Sequence, residues 1–168
     1  MRPAVFRLLV AFALGSLLRP CLAQSLPTTS GETLSGKQVV IADAVRERTA
    51  ILVAGFSHEG GMATSDWIKA IRADSAFAKV TVYQVAMLEG APGFLRGMIK
   101  GSMKRGVPAL EQDYSVVLTQ DQKLWENYFD VTVDKDPYVV LIDASGKVLW
   151  HGHGRAATLE PQLRAALH

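Results

Sequence analysis

The sequence predicts an α/β fold of three layers: a central mixed sheet with a C-terminal hairpin, between flanking helices. Three observations predict it. Ala50 to Phe56 is a continuous apolar run of the kind buried on both faces, and Val80 to Met87 and Tyr138 to Ile142 read as further strands. Segments with apolar residues at helical spacing separate these runs. The turn Asp143-Ala144-Ser145-Gly146 joins the last run to a short strand, Lys147 to His151, in the pattern of a hairpin. The chain has 168 residues, 49% hydrophobic and 20% charged, with one cysteine. That composition fits one folded domain with a tail, and excludes disorder, a collagenous chain and a disulfide scaffold.

Taken in order, Met1 to Ala23 (residues 1–23) reads as a signal peptide. Arg2 and Arg7 lie near its start, Leu8 to Leu18 is an apolar run too short to span a bilayer, and Cys21-Leu22-Ala23 offers small residues for cleavage. Cleavage after Ala23 gives an exported chain, periplasmic or secreted. Two alternatives stay open: lipoprotein processing at Cys21, which follows Leu18 at lipobox spacing, and retention of the segment as an anchor. Removal of Arg2, Arg7 and Arg19 takes the 18 basic residues to 15 against 16 acidic ones, so the net charge falls from +2 to −1. The basic balance therefore belongs to the export signal, and no nucleic-acid partner is expected. The mature chain has no cysteine.

Gln24 to Ser35 (residues 24–35), rich in Ser, Thr, Gly and Pro, predicts a flexible linker, which puts the domain at residues 36–168. Val39-Val40-Ile41 is a short β-like run. After the strand Ala50 to Phe56, the segment Ser57-His58-Glu59-Gly60-Gly61 reads as a turn, with Thr64 or Ser65 capping a helix that runs to about Ala73. The strand Val80 to Met87 leads through Glu89-Gly90-Ala91-Pro92-Gly93 into a helix from about Phe94 to Lys104. Ser115 to Thr119 is a strand and Lys123 to Phe129 a short helix. A last helix, Leu159 to Leu167, has Thr158 as cap and Pro161 in its first turn. The order β-α-β-α-β-α-β-β-α, with right-handed crossovers, is a thioredoxin-like layout.

Two stretches carry a family resemblance. Leu34 to Asp43, followed by Ala50 to Ser57, resembles the opening of the peroxiredoxin and thiol-disulfide reductase branch of the thioredoxin superfamily. Tyr138-Val139-Val140-Leu141-Ile142-Asp143, Gly146-Lys147-Val148, Trp150, Gly154, Ala156 and Glu160 are similar to the closing block of the mitochondrial ATP-synthase assembly factors with a thioredoxin-like domain. The second resemblance implies an assembly or chaperone-like role towards a protein partner, with a membrane complex as its setting. The first implies a thiol at the turn after the first core strand, because a low-pKa thiolate near a helix N-terminus is the nucleophile of that chemistry. Here that turn holds Ser57, His58, Glu59, Gly60 and Gly61, and no thiolate is available. Asp136-Pro137 falls where thioredoxins place the proline whose backbone edge binds extended substrates. The partner-binding candidates are accordingly His58, Glu59, Thr64, Ser65, Asp136 and Pro137.

Competing chemistries are weaker. Gly55-Phe56-Ser57-His58-Glu59-Gly60 approaches the G-x-S-x-G elbow, with Asp143 and His151 or His153 completing a Ser-acid-His order, but the second glycine comes one residue late. His58, His151 and His153, with the thioethers of Met62, Met98 and Met103, are types that suit copper, although both C-terminal histidines fall on an edge strand that would turn them to solvent. The helix after Pro92 carries Phe94, Leu95, Met98, Ile99 and Met103 on one side and Arg96, Lys100 and Lys104 on the other. This reads as a core stripe with a cationic face able to touch a membrane surface or an acidic partner. No Walker loop, dinucleotide fingerprint, zinc pattern or EF-hand loop is present, so no cofactor is predicted. The sequence leans away from an enzyme. The alternatives that remain are a peroxiredoxin-like or thiol-disulfide oxidoreductase, which would have to use Cys21, and a copper carrier.

Overall fold

The computed structural model describes residues 25–167, so the expected signal at residues 1–23 lies outside the described residues. The strands are β1 (Ser30–Thr33), β2 (Gln38–Val40), β3 (Ala50–Gly55), β4 (Thr81–Met87), β5 (Ser115–Leu118), β6 (Pro137–Ile142) and β7 (Val148–His153). The helices are α1 (Ile41–Ala44), α2 (His58–Ala73), α3 (Gly93–Gly106), α4 (Gln122–Phe129) and α5 (Ala156–Ala165). The strands form one sheet in the order β2-β1-β5-β4-β3-β6-β7. Within it β3, β4 and β5 are parallel, while β6, β7, β1 and β2 join antiparallel.

β3 is the axis of the domain. It pairs with β4 from Ala50↔Thr81 to Gly55↔Ala86 and with β6 from Ala50↔Ile142 to Gly55↔Pro137. All six of its residues are buried, and the two-residue alternation of a strand divides them between two cores. Leu52 and Ala54 face Val85, Val116, Val140 and the aromatics of α4. Ile51 and Val53 face Trp67, Ile68 and Ile71 of α2 and Leu163 of α5. Among the described residues, those of both cores lie between Leu26 and Leu167.

Three expectations are corrected. Residues 24–35 do not form a linker throughout, because Ser30–Thr33 is a strand paired with both β5 and β2. The apolar count there is low because the strand needs a small residue. A Cβ at Gly31 would stand 2.6 Å from both Leu118 Cδ2 and Val116 Cγ1, so β1 fits against β5 only with glycine. The helix after β3 starts at His58, six residues ahead of the first expected cap, and its cap is Ser57, whose Oγ accepts from Gly60 N–H. α5 also starts early, at Ala156, with Arg155 rather than Thr158 at the N-cap and Pro161 inside the helix. That proline costs one helical hydrogen bond.

The Tyr128 hydroxyl is buried without a hydrogen-bond partner, and burial pushes its pKa up to about 12. Tyr128→Phe should therefore leave unfolding free energy unchanged or raise it by up to about 1 kcal/mol, since an unpaired buried hydroxyl is removed. Gly31→Val should lower it by about 1–3 kcal/mol through overpacking against Val116 and Leu118. Urea unfolding of the two variants checks both.

Candidate functional site

The end of the sheet at which β3 and β4 terminate holds the turn where thioredoxin chemistry would sit, and glycine packing closes it. A Cβ on Gly55 would lie 2.4 Å from Gly61 Cα, so the first turn of α2 rests its backbone directly on the last residue of β3. A Cβ on Gly60 would lie 2.8 Å from the Asp134 carbonyl oxygen and 2.9 Å from that of Asp136. Ser57 ties the same parts together: its Oγ accepts from Gly60 N–H at 3.0 Å and donates to Asp134 C=O at 2.8 Å. No thiol exists at this turn, and the backbone at Gly60 leaves no room for a side chain.

The segment 130–136 that meets α2 is itself held from below. Tyr138 Oη accepts from Thr132 N–H and Val133 N–H, both at 2.9 Å, and donates to Val133 C=O at 3.2 Å. His153 stacks on the Tyr138 ring at 5.0 Å, and its Nδ1 lies 2.7 Å from Asp136 Oδ2. Phe56 meets Tyr138 edge-on at 5.8 Å. Trp67 Nε1 donates to Gly154 C=O at 2.7 Å, which fixes α2 to the chain leaving β7.

His58, Glu59 and Asp136 come together at this end, with Glu59 paired to Lys135 at 3.4 Å across solvent. Ser65 is exposed on the same face of α2 as His58 and Met62, by the i, i+4, i+7 spacing. Thr64 is not on the surface: it is 1% exposed, and its Oγ1 donates to Gly61 C=O and accepts from Gln84 Nε2 at 2.7 Å. It packs towards the sheet, because the helix begins a turn and a half earlier than the sequence suggests. Pro137 is buried as the first residue of β6. The backbone edge at Asp136-Pro137 is in use rather than open. Asp136 N–H donates to Val133 C=O at 3.2 Å, Pro137 C=O accepts from Gly154 N–H at 3.0 Å, and every peptide bond among the described residues is trans.

Other constellations come apart. Asp143 sits at the far end of β6 from Ser57, about 20 Å away at strand rise, so no Ser-acid-His triad assembles. Hydrogen bonds from the Ser145 hydroxyl and the Lys147 backbone hold its carboxyl below the usual range. Among the described residues no three His, Cys, Asp or Glu side chains cluster as a metal site. His58, His151 and His153 belong to different elements, α2 and β7, and His153 is engaged by Asp136. In α3 the expected apolar side is split between the inner and outer faces. The helix buries none of its residues. Arg96 points inward to the Ala91 and Glu89 carbonyls and Lys100 to Glu32, while Phe94 and Met98 face outward. Leu95, Ile99 and Met103 are half-buried on the inner side, and Lys104 is exposed.

Sequence reasoning missed an apolar rim. Met62, Phe94, Met98, Leu124 and Val133 are exposed, and all belong to elements or loops that start at this end of the sheet. It also missed the glycine interlock, although a glycine closing a buried strand, followed by a Gly-Gly pair, is the mark of a close backbone approach.

A mixed sheet with a C-terminal hairpin, an α2 that starts at the chemical turn, and no thiol at that turn define a thioredoxin-like domain. The family model of the ATP10 protein matches residues 15–165, and the chain belongs to that family of ATP-synthase assembly factors. Membership brings an assembly-type role and a protein partner within a membrane complex. Among solved structures the fold is similar to that of a Chlorobium tepidum protein described as a thiol:disulfide interchange protein DsbE, with TM-score 0.58, 22% identity, and 87% of this chain and 97% of that one covered. It is similar to StoA from Bacillus subtilis, with TM-score 0.56, 12% identity and 86% and 99% covered. It is also similar to BsSco, of the Sco family of cytochrome c oxidase assembly proteins, with TM-score 0.52, 14% identity and 86% and 94% covered. No curated protein matches by sequence.

Gly60→Ala should lower unfolding free energy by about 1–3 kcal/mol, because the new methyl meets two carbonyl oxygens that belong to a pinned loop. Gly61→Ala meets nothing within 4 Å and should be neutral or stabilising by up to about 1 kcal/mol. Thermal and urea unfolding of the pair measures the contrast.

Proposed function

We propose that this chain is exported and acts as an assembly factor by binding alone, with no thiol step, and that its partner surface is the end of the sheet around the start of α2. The single observation that carries this reading is the closed turn. Where a thioredoxin would present a reactive sulfur, Gly60 fills the space against the Asp134 and Asp136 carbonyls. The backbone beside Pro137 is occupied within the domain, so recognition runs through side chains. His58, Glu59, Ser65 and Asp136 supply polar contacts, and Met62, Leu124 and Val133 supply apolar ones. A polar and apolar mixture of this kind suits a chaperone-like hold on a subunit of the ATP synthase before it joins its complex.

The test uses cells that lack the native protein, complemented with variants of the full chain. Assembled ATP synthase is read on native gels, and the synthase subunit that co-purifies with the tagged chain is quantified. His58→Ala with Met62→Ala should reduce subunit capture about tenfold or more if these positions include hot spots. Cys21→Ser should leave both readouts unchanged. Loss of assembly in Cys21→Ser, together with thiol-dependent reductase activity in the parent, would establish the oxidoreductase reading instead.

A further inference from the structure

We propose that the outward side of α3 docks on the surface of an anionic lipid bilayer. The inference goes beyond the assembly reading and rests on how this helix is mounted. Most amphipathic helices in a folded domain turn their apolar stripe inward. α3 turns Leu95, Ile99 and Met103 inward but leaves two large apolar residues of the same helix in solvent: Phe94 is 83% exposed and Met98 64%. They are one helical turn apart and share a side. The inner side carries the half-buried Leu95, Ile99 and Met103 and polar contacts, Arg96 to the Ala91 and Glu89 carbonyls and Lys100 to Glu32, an attitude that leaves Phe94 and Met98 in solvent.

Charge selects the occupant. α3 carries Arg96, Lys100, Lys104 and Arg105 and no acidic residue, with Lys104 and Arg105 exposed in its last turn. The rest of the chain from residue 24 holds 11 basic against 16 acidic residues. The charge is thus segregated, with a cationic helix on an otherwise anionic domain, and a negatively charged plane would orient the molecule α3-first. A cationic last turn beside an exposed Phe and Met is the combination that seats a helix at the headgroup boundary, the ring entering the apolar zone and the cations remaining with the phosphates.

Position agrees with this. α3 begins at the end of the sheet where β4 terminates, the end that also carries the start of α2. The described chain enters there as well: Thr29 Oγ1 donates to Asp121 Oδ2 at 2.8 Å, just ahead of α4. A bilayer under α3 would bring the proposed partner surface close to the place where subunits of a membrane complex emerge.

The experiment is vesicle co-sedimentation of the chain from residue 24, with circular dichroism to confirm that every variant is folded. Vesicles are pure phosphatidylcholine, or equal parts phosphatidylcholine and phosphatidylglycerol. The parent should partition onto the anionic vesicles and weakly or not at all onto the neutral ones, and the bound fraction should fall as salt rises. Phe94→Ser with Met98→Ser should lower the anionic partition coefficient by roughly tenfold or more. Lys104→Glu with Arg105→Glu should abolish the preference for anionic lipid. No binding to anionic vesicles overturns the proposal, as does binding that the Phe94 and Met98 substitutions leave unchanged. If vesicles are not bound but the same substitutions reduce capture of a protein subunit, the face belongs to an acidic protein and the lipid assignment is wrong. The assay contains no protein partner, so its failure leaves the assembly reading to its own experiment.

Discussion

The backbone of α2 touches the backbone of β3 with no side chain between them, and the arrangement of the functional end follows from that contact. A Cβ on Gly55 would collide with the Gly61 backbone, and Gly60 sits against two carbonyls of segment 130–136. Bringing α2 this close places Ser57 where its hydroxyl caps the helix and holds the Asp134 carbonyl. The captured segment is in turn fixed by Tyr138, on which His153 stacks. Glycine interior to a helix weakens it by about 1 kcal/mol relative to alanine, so a pair in the first turn is a cost that close packing offsets.

A closed turn and an exposed rim make sense together in a protein that binds. Thiol-disulfide exchange needs an accessible sulfur near a helix N-terminus, and this helix N-terminus is filled by carbonyl oxygens and a serine hydroxyl. The conformational rigidity that a redox site would use to tune a thiolate here sets the surface positions of His58, Glu59 and Asp136. α3, by contrast, meets the domain through the half-buried Leu95, Ile99 and Met103 and a few polar contacts, and contains Gly93, Gly97 and Gly101, which weaken it as a free-standing helix. The domain therefore pairs a closely packed end with a helix that keeps Phe94 and Met98 exposed. That division fits membership of an assembly-factor family on a thioredoxin-like scaffold.

Much of the fold was legible because β3 and β6 are runs of consecutive apolar residues, the pattern of strands buried on both faces, and β4 is rich in β-branched and aromatic residues. β1 was not legible. Its glycine is required by Val116 and Leu118 across the sheet, and its buried Thr33 carries no apolar signal, so a strand read as a linker. The start of α2 was hidden for a related reason: two glycines in succession look like a turn until the partner surface that demands them is known. That shift of the helix start moved Thr64 from surface to interior. In α3 the periodicity drew the boundary between faces in the wrong place, since Leu95, Ile99 and Met103 turn inward together with Arg96 and Lys100 while Phe94 and Met98 turn outward. The inward choice is made by Glu32 and two loop carbonyls, which lie far from the helix in sequence or carry no sequence signature. The site was legible in its end of the sheet and in His58, Glu59 and Asp136, and illegible in the rim of Met62, Leu124 and Val133, whose exposure depends on tertiary neighbours.

Amide hydrogen exchange at Gly60, Gly61, Thr132, Val133 and Asp136 tests the closed turn most directly, because each of these N–H groups has a named acceptor within the interlock. The account predicts slow exchange at all five, with protection close to that of β3, and a common loss of protection when the Tyr138 hydroxyl is removed by Tyr138→Phe. Exchange at these amides near the rate of an unstructured chain, while β3 stays protected, would show that the turn is open and would contradict the claim that packing has closed it.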